Sequence, residues 1–154
     1  MSQAIPQARA RRPSRGQPGI TAVLVEGYKS LAEDIRVELR PLTVLAGANS
    51  SGKSSAMQPL LLLKQTLEAG YDPGPLRLDG PNVEFTAAEQ LFSKLGPSKS
   101  ARRTELGIGL EVGNRSLISR FRRVRPRSRQ TTIELVEMTT RVGDEISTLS
   151  PKMK

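Results

Sequence analysis

The run Gly47-Ala48-Asn49-Ser50-Ser51-Gly52-Lys53-Ser54-Ser55 sets two glycines, a lysine and a series of hydroxyls in an order that suits one kind of chemistry. It fills every fixed position of the pattern G-x-x-x-x-G-K-[ST]. Gly47 and Gly52 permit backbone angles and a closeness of approach that a side chain would block. The N–H groups between them then converge on an anion as a nest. Lys53 supplies a point charge for the β- and γ-phosphates of a nucleotide, and the Ser54 hydroxyl suits a magnesium ion. Residues 47 to 55 are therefore the candidate phosphate site, with Ser54 as metal ligand and ATP and Mg²⁺ as cofactors. No residue is assigned a catalytic role.

Such a loop works only between the right elements. Before it, Leu42-Thr43-Val44-Leu45-Ala46 is a short apolar run with a β-branched centre, which predicts a buried parallel strand. After it, residues 55–69 read as a helix whose apolar face is Met57, Leu60, Leu61, Leu63 and Leu67. Strand, loop and helix in this order aim a helix N-terminus at a phosphate. Pro59 lies about two turns in, where it removes one backbone hydrogen bond. A kinked but continuous helix is expected.

Further strands precede the loop at residues 20–25 and 35–39, the second alternating apolar and polar side chains. Residues 76–83 suggest a short strand broken by Asp79-Gly80-Pro81. Residues 86–95 read as a short helix capped by Thr86 and stopped by Gly96-Pro97. From Thr104 the period becomes two: Leu106, Ile108, Leu110 and Val112 share a face, and Gly113-Asn114 marks a hairpin. The return strand is 115–124, and residues 133–138 and 140–149 add antiparallel strands, with a turn at Gly143-Asp144. The expected fold class is α/β: a P-loop nucleotide-binding core with an antiparallel β-meander and an incomplete sheet.

The chain has 154 residues, about one domain, with 36% hydrophobic and 3% aromatic content, which predicts a core of Leu, Val and Ile. Cysteine and histidine are absent, so disulfides, thiolate zinc sites and imidazole general bases are excluded. No run reaches the ~18–20 apolar residues of a membrane span, and no apolar segment follows the first arginines, so a cytoplasmic protein is expected.

The net charge of +9 is unevenly placed. Residues 1–18 hold four arginines and no acid, the composition of a disordered basic tail. Residues 94–129 hold eleven basic groups against Glu105 and Glu111. The densest part, Arg120, Arg122, Arg123, Arg125, Arg127 and Arg129, reads either as a solvated strand edge or as a patch for the backbone of DNA or RNA. The expected division is a tail at 1–18, the nucleotide-binding core at 19–96 and a basic antiparallel segment at 97–154.

The succession Gly27-Tyr28-Lys29-Ser30-Leu31, Leu39-Arg40-Pro41-Leu42-Thr43-Val44-Leu45 and the loop from Gly47 to Ser55 resembles the start of an ABC-type AAA ATPase head. That group includes the RecF, SMC and OLD-nuclease-like ATPases of DNA repair and phage defence. The Asn49-to-Ser55 form of the loop and the leucine-rich helix after it carry the likeness. The resemblance implies Lys53 on the β/γ-phosphates and Ser54 on magnesium. It also implies Lys29 and Ser30 near the nucleotide, Gln90 as a candidate for the glutamine near magnesium, and ATP-driven dimer closure.

Other parts of that pattern are missing. The only Asp-Glu pair, Asp144-Glu145, follows a turn rather than an apolar strand, and no signature segment or switch histidine is present. The expectation is an N-terminal portion of a longer ATPase that does not hydrolyse ATP by itself, paired with a second copy or with the remainder of the enzyme. The alternative is a small basic nucleic-acid-binding protein whose phosphate loop is a relic.

Overall fold

The computed structural model describes residues 19–31, 33–49, 51–94, 102–125 and 131–151. Strands β1 (Ala22–Glu26) and β2 (Ile35–Glu38) precede helix α1 (Lys53–Leu67); β3 (Glu105–Val112), β4 (Arg115–Val124), β5 (Thr132–Val142) and β6 (Glu145–Leu149) follow a 3₁₀ turn at Ala88–Leu91. The strands form one antiparallel sheet in the order β2-β1-β3-β4-β5-β6. The fold is α/β, and the sheet joins strands from both sides of residue 96.

Period-two patterning decides which face of that sheet is covered. Val23 and Val25 of β1 lie opposite Leu110 and Ile108 of β3, and Leu106 lies opposite Phe121 of β4. Of these, Val23, Val25, Leu106, Ile108 and Phe121 are buried, with Leu110 packed against them. Leu24, Glu26, Gly107, Gly109, Ile118 and Arg120 take the alternate positions and form the outer face. A register shift between Arg120 and Phe121 sets Glu137 against Arg120 and Leu135 against Phe121, leaving Val136 as the extra residue of a bulge. Gly113 and Gly143 adopt the positive φ that each two-residue hairpin turn needs, at 60° and 61°.

Helix α1 and the segment after it close the inner face. Its buried stripe is Ala56, Pro59, Leu62 and Gln65, so the expected apolar face is rotated: Leu62 lies at the centre, while Leu61 and Leu67 are exposed. The helix runs continuously through Pro59, whose missing N–H leaves only the Ser55 carbonyl without its usual partner. The core is also more aromatic than composition implied. Phe85, Phe92, Phe121 and Tyr28 are all buried, so every phenylalanine of the chain is in the core.

Three expected elements take other forms. Residues 42–46 are not a strand: no described segment pairs with them, and Leu42 and Val44 are 81% and 76% exposed. A parallel strand needs neighbours to satisfy its backbone groups, and the described sheet offers none there. Residues 76–83 form a loop carrying a single bridge between Asp79 and Glu84. The helix expected over 86–95 is one 3₁₀ turn, and Thr86 does not cap it; its hydroxyl instead accepts a hydrogen bond from Gln90 at 3.0 Å. The strands expected at 133–138 and 140–149 redistribute into β5, continuous through Thr139, and β6.

Gln65 explains why the loop after α1 stays folded. The side chain is 1% exposed. Its Nε2 donates to the carbonyls of Arg77 and Val83 at 2.6 and 3.0 Å, and its Oε1 accepts from the amides of Asn82 and Val83 at 3.2 and 3.0 Å. Gly80 lies so close that a Cβ there would come within 2.2 Å of the amide carbon. Thr66 adds a second tie, donating to the Leu62 carbonyl and accepting from the Arg77 amide. A loop without regular structure thereby has its buried backbone groups satisfied by one helix face.

Candidate phosphate-binding site

The loop ends at Gly52, the N-cap of α1, with φ 92°. That angle lies in the left-handed region that glycine adopts without penalty. A Cβ on Gly52 would sit 3.1 Å from Ser30 Oγ and 3.2 Å from Leu31 Cδ2, so this glycine also lets the loop approach the segment after β1. No side chain caps the helix. The first helical amides have no intrahelical acceptor by construction of an α-helix, and the residues that carry them, Lys53, Ser54 and Ser55, line a cleft. The macrodipole adds partial positive charge at the same end.

Lys29, Ser30, Asn49, Ser51, Gly52, Lys53, Ser54 and Ser55 line a cleft of ≈ 390 Å³ at this helix end. Lys53 Nζ donates to the carbonyls of Gly47 and Ala48 at 2.7 and 2.6 Å, folding the side chain over its own loop. Ser30 Oγ lies 3.4 Å from Ser55 Oγ. Lys29 is the one described non-glycine residue with positive φ, 49°. Its Nζ donates to Gln58 Oε1 at 2.7 Å and lies 4.6 Å from the Phe85 ring centroid. Burial lowers the proton affinity of Lys29. Tyr28, whose hydroxyl also donates to Gln58 Oε1 at 3.3 Å, is pushed upward by burial and stays a neutral donor.

The expected site residues thus come together, apart from Ser50, which lies outside the described residues. Gly47 and Ala48 contribute carbonyls rather than cleft walls. Gln90 does not line this cleft; it lines a neighbouring one of ≈ 460 Å³ with Lys29, Ser30, Lys94 and Arg102. Gln58 and Phe85 were not legible as site residues, because nothing in their spacing marks them; they act by placing Lys29.

The arginine run divides. Arg120 and Arg122 lie on the outer face, where Arg120 Nη1 meets Glu26 at 2.7 Å and Arg122 Nη2 meets Glu105 at 2.8 Å. Both are therefore ion-paired within the sheet. Arg123 turns inward, with its Cζ 5.8 Å from the Phe92 ring centroid. Arg125 is exposed. Arg127 and Arg129, like the tail at 1–18, lie outside the described residues. Asp144 and Glu145 occupy the β5–β6 turn and the start of the edge strand, with β3, β4 and β5 between them and β1, against which α1 packs.

Among the described residues no group of acidic side chains could hold a metal ion, and no helix is long and apolar enough to cross a membrane. No curated protein matches the chain. Among solved structures, one described as "Structural biochemistry of ATP-driven dimerization and DNA stimulated activation of SMC ATPases" is similar at a TM-score of 0.43 and 16% identity, over 77% of this chain and 69% of that one. The profile of a family described as "AAA domain, putative AbiEii toxin, Type IV TA system" matches residues 42–135, from the segment before the loop into β5. That match takes in more than half of the chain, which therefore belongs to this family of AAA-type ATPase domains.

Proposed function

We propose that this chain binds the phosphates of Mg-ATP at the N-terminus of α1, with Lys53 at the β/γ-phosphates and Ser54 as the magnesium ligand. The observation that carries the reading is the uncapped helix end behind Gly52, which opens into a cleft of ≈ 390 Å³ lined by Lys53, Ser54 and Ser55. These residues fit the group: free amides and an ammonium for phosphate oxygens, and a hydroxyl for a hard cation. Bound magnesium supplies neutralisation of charge on the β- and γ-phosphates. The chain's own part is to grip and orient. Lys53 exchanges its two carbonyl acceptors for phosphate oxygens, and Lys29, held by Gln58, adds a second positive charge beside them.

Among the described residues no carboxylate lines this cleft. In this reading a second chain contributes the residue that positions water. Pairing of two such chains around nucleotide, in DNA repair or phage defence, is the biological setting that the family resemblance suggests. The division into a tail at 1–18, a core at 19–96 and a basic segment at 97–154 belongs to the same reading.

Titration calorimetry with Mg-ATP on the wild type and Lys53→Ala, with thermal melting alongside, tests it. Saturable binding that weakens by about 100-fold or more in Lys53→Ala, with melting unchanged, is expected from loss of a charge-assisted contact. Equal affinity in the two proteins would overturn the reading.

A further inference from the structure

We propose that the cleft lined by Lys29, Ser30, Gln90, Lys94 and Arg102 is a second anion site, taking a phosphate group that does not belong to the nucleotide on the loop. It adjoins the loop cleft through Lys29 and Ser30, has a volume of ≈ 460 Å³, and among the described residues presents three cationic side chains and no carboxylate. Among the described residues, Lys29, Lys94 and Arg102 take part in no ion pair.

The backbone brings the cations together, and two of them are anchored by hydrogen bonds: Lys29 to Gln58 and Arg102 to the Phe92 carbonyl. Lys94 and Arg102 face each other across an antiparallel bridge, which sets their side chains together. Arg102 Nη1 donates to the Phe92 carbonyl at 2.9 Å, which anchors one arm of the guanidinium. Behind it stands Arg123, whose Nη2 reaches the Arg102 carbonyl at 3.5 Å and whose buried Nη1 has no partner among the described residues. Burial, Arg125 and Arg102 all lower the proton affinity of Arg123, and only Glu89 opposes them. Glu89 is itself engaged by the Thr131 hydroxyl. Like charges held together beside a buried unpaired donor are costly unless an anion joins them. On the outer face, by contrast, Arg36, Arg120 and Arg122 each have a glutamate at 2.6 to 2.8 Å.

The shared chemistry is a phosphate oxyanion, from a nucleic-acid strand or from a free phosphate. Arg125, exposed at the end of β4, extends the positive charge outward from the cleft and favours a strand. The two clefts share Lys29 and Ser30, whereas Lys53 lines only the loop cleft and Lys94 and Arg102 only this one, so variants at Lys53 and Lys94 make a failure of either reading visible without the other.

The test uses the full chain with and without Mg-ATP. One titration follows the anisotropy of a fluorescent single-stranded oligodeoxynucleotide; a second follows inorganic phosphate by ³¹P line broadening. Each is repeated on Lys94→Glu, an exposed position that leaves the core untouched, and on Lys53→Ala. The expected result is saturable oligonucleotide binding by the wild type, weakened about tenfold or more by Lys94→Glu and changed less than about twofold by Lys53→Ala. Phosphate binding that depends on Lys94, with no binding of the strand, would support the site and assign it to free phosphate. Binding of neither probe, binding indifferent to Lys94→Glu, or equal loss in Lys53→Ala would overturn it, the last by reducing the two clefts to one site.

Discussion

The two faces of the sheet carry the same kinds of residue and use them in opposite ways. On the outer face every arginine of β2 and β4 is answered by a glutamate: Arg36 by Glu38 and Glu111, Arg120 by Glu26, Arg122 by Glu105. Toward the loop, Lys29, Lys53, Lys94 and Arg102 are answered by carbonyl or amide oxygens or by nothing described. A carboxylate partner neutralises a cation; a carbonyl only holds it. Arg122 and Arg123, adjacent in sequence, fall on opposite sides of this division because a strand alternates its faces. The difference teaches that the +9 charge is not a uniform coat. The outer face is internally balanced, and the loop side carries cations that no described carboxylate neutralises.

The strongest way to break the loop side is through its support. Gln65→Leu would remove four hydrogen bonds from the backbone of residues 77, 82 and 83 and leave buried polar groups unpaired. At 1–3 kcal/mol for a buried group left unsatisfied, a loss of about 3 kcal/mol is expected, read as the midpoint of urea unfolding. A variant as stable as wild type would mean that the loop is held by its own packing, and that Gln65 is incidental.

Gly52→Val separates stability from binding on the same face. A β-branched residue at φ 92° carries backbone strain, and its Cβ would meet Ser30 Oγ and Leu31 Cδ2. Destabilisation of about 2 kcal/mol is expected, together with loss of Mg-ATP binding in calorimetry. Retained ATP affinity would show that the close approach of loop and β1 segment is not required.

The pattern of glycines and Lys53 stands in the sequence at fixed spacing, and the structure sets Gly52 and Lys53 at the N-terminus of α1. The β3–β4 and β5–β6 hairpins were legible because period-two runs flank glycine turns at Gly113 and Gly143. The segment at 42–46 was misread for a physical reason. An apolar run with a β-branched centre states what a chain prefers, while strand formation depends on a neighbour that sequence cannot supply. Residues 76–83 failed differently: one buried amide, Gln65, replaces regular pairing there, and a polar residue on a helix gives no sign of such work. The arginine run was visible as charge, but its division into paired and unpaired members depends on register, including the bulge at Arg120.

Glu26→Gln sharpens the comparison from the outer side. Glu26 receives Arg120 at 2.7 Å and Arg103 at 3.7 Å, and a Cβ on Gly107 would lie 3.1 Å from its Oε2. Loss of its charge should cost about 1 kcal/mol in unfolding experiments, since the site is only partly buried. Oligonucleotide and ATP binding should stay at wild-type strength. A gain in oligonucleotide affinity would show that Arg103 and Arg120, once unpaired, behave like the cations on the loop side.

The smallest effect concerns Glu111. The hydrogen bond from Arg36 holds its carboxyl below the usual carboxylate value, with burial acting in the opposite direction and the charge of Arg36 reinforcing the shift. A folded value below the unfolded one means that the group stabilises the fold fully above about pH 4.3, and that this contribution fades as pH falls through the folded value. The pair is open to solvent, so Glu111→Gln should lower the melting temperature by only about one or two degrees at pH 7. Thermal melts of both proteins between pH 7 and pH 3 should converge at the acid end. Curves that stay apart at pH 3 would assign the Glu111 effect to packing against β1 and β2 rather than to its charge. The outer face would then owe less to ion pairing than its geometry implies.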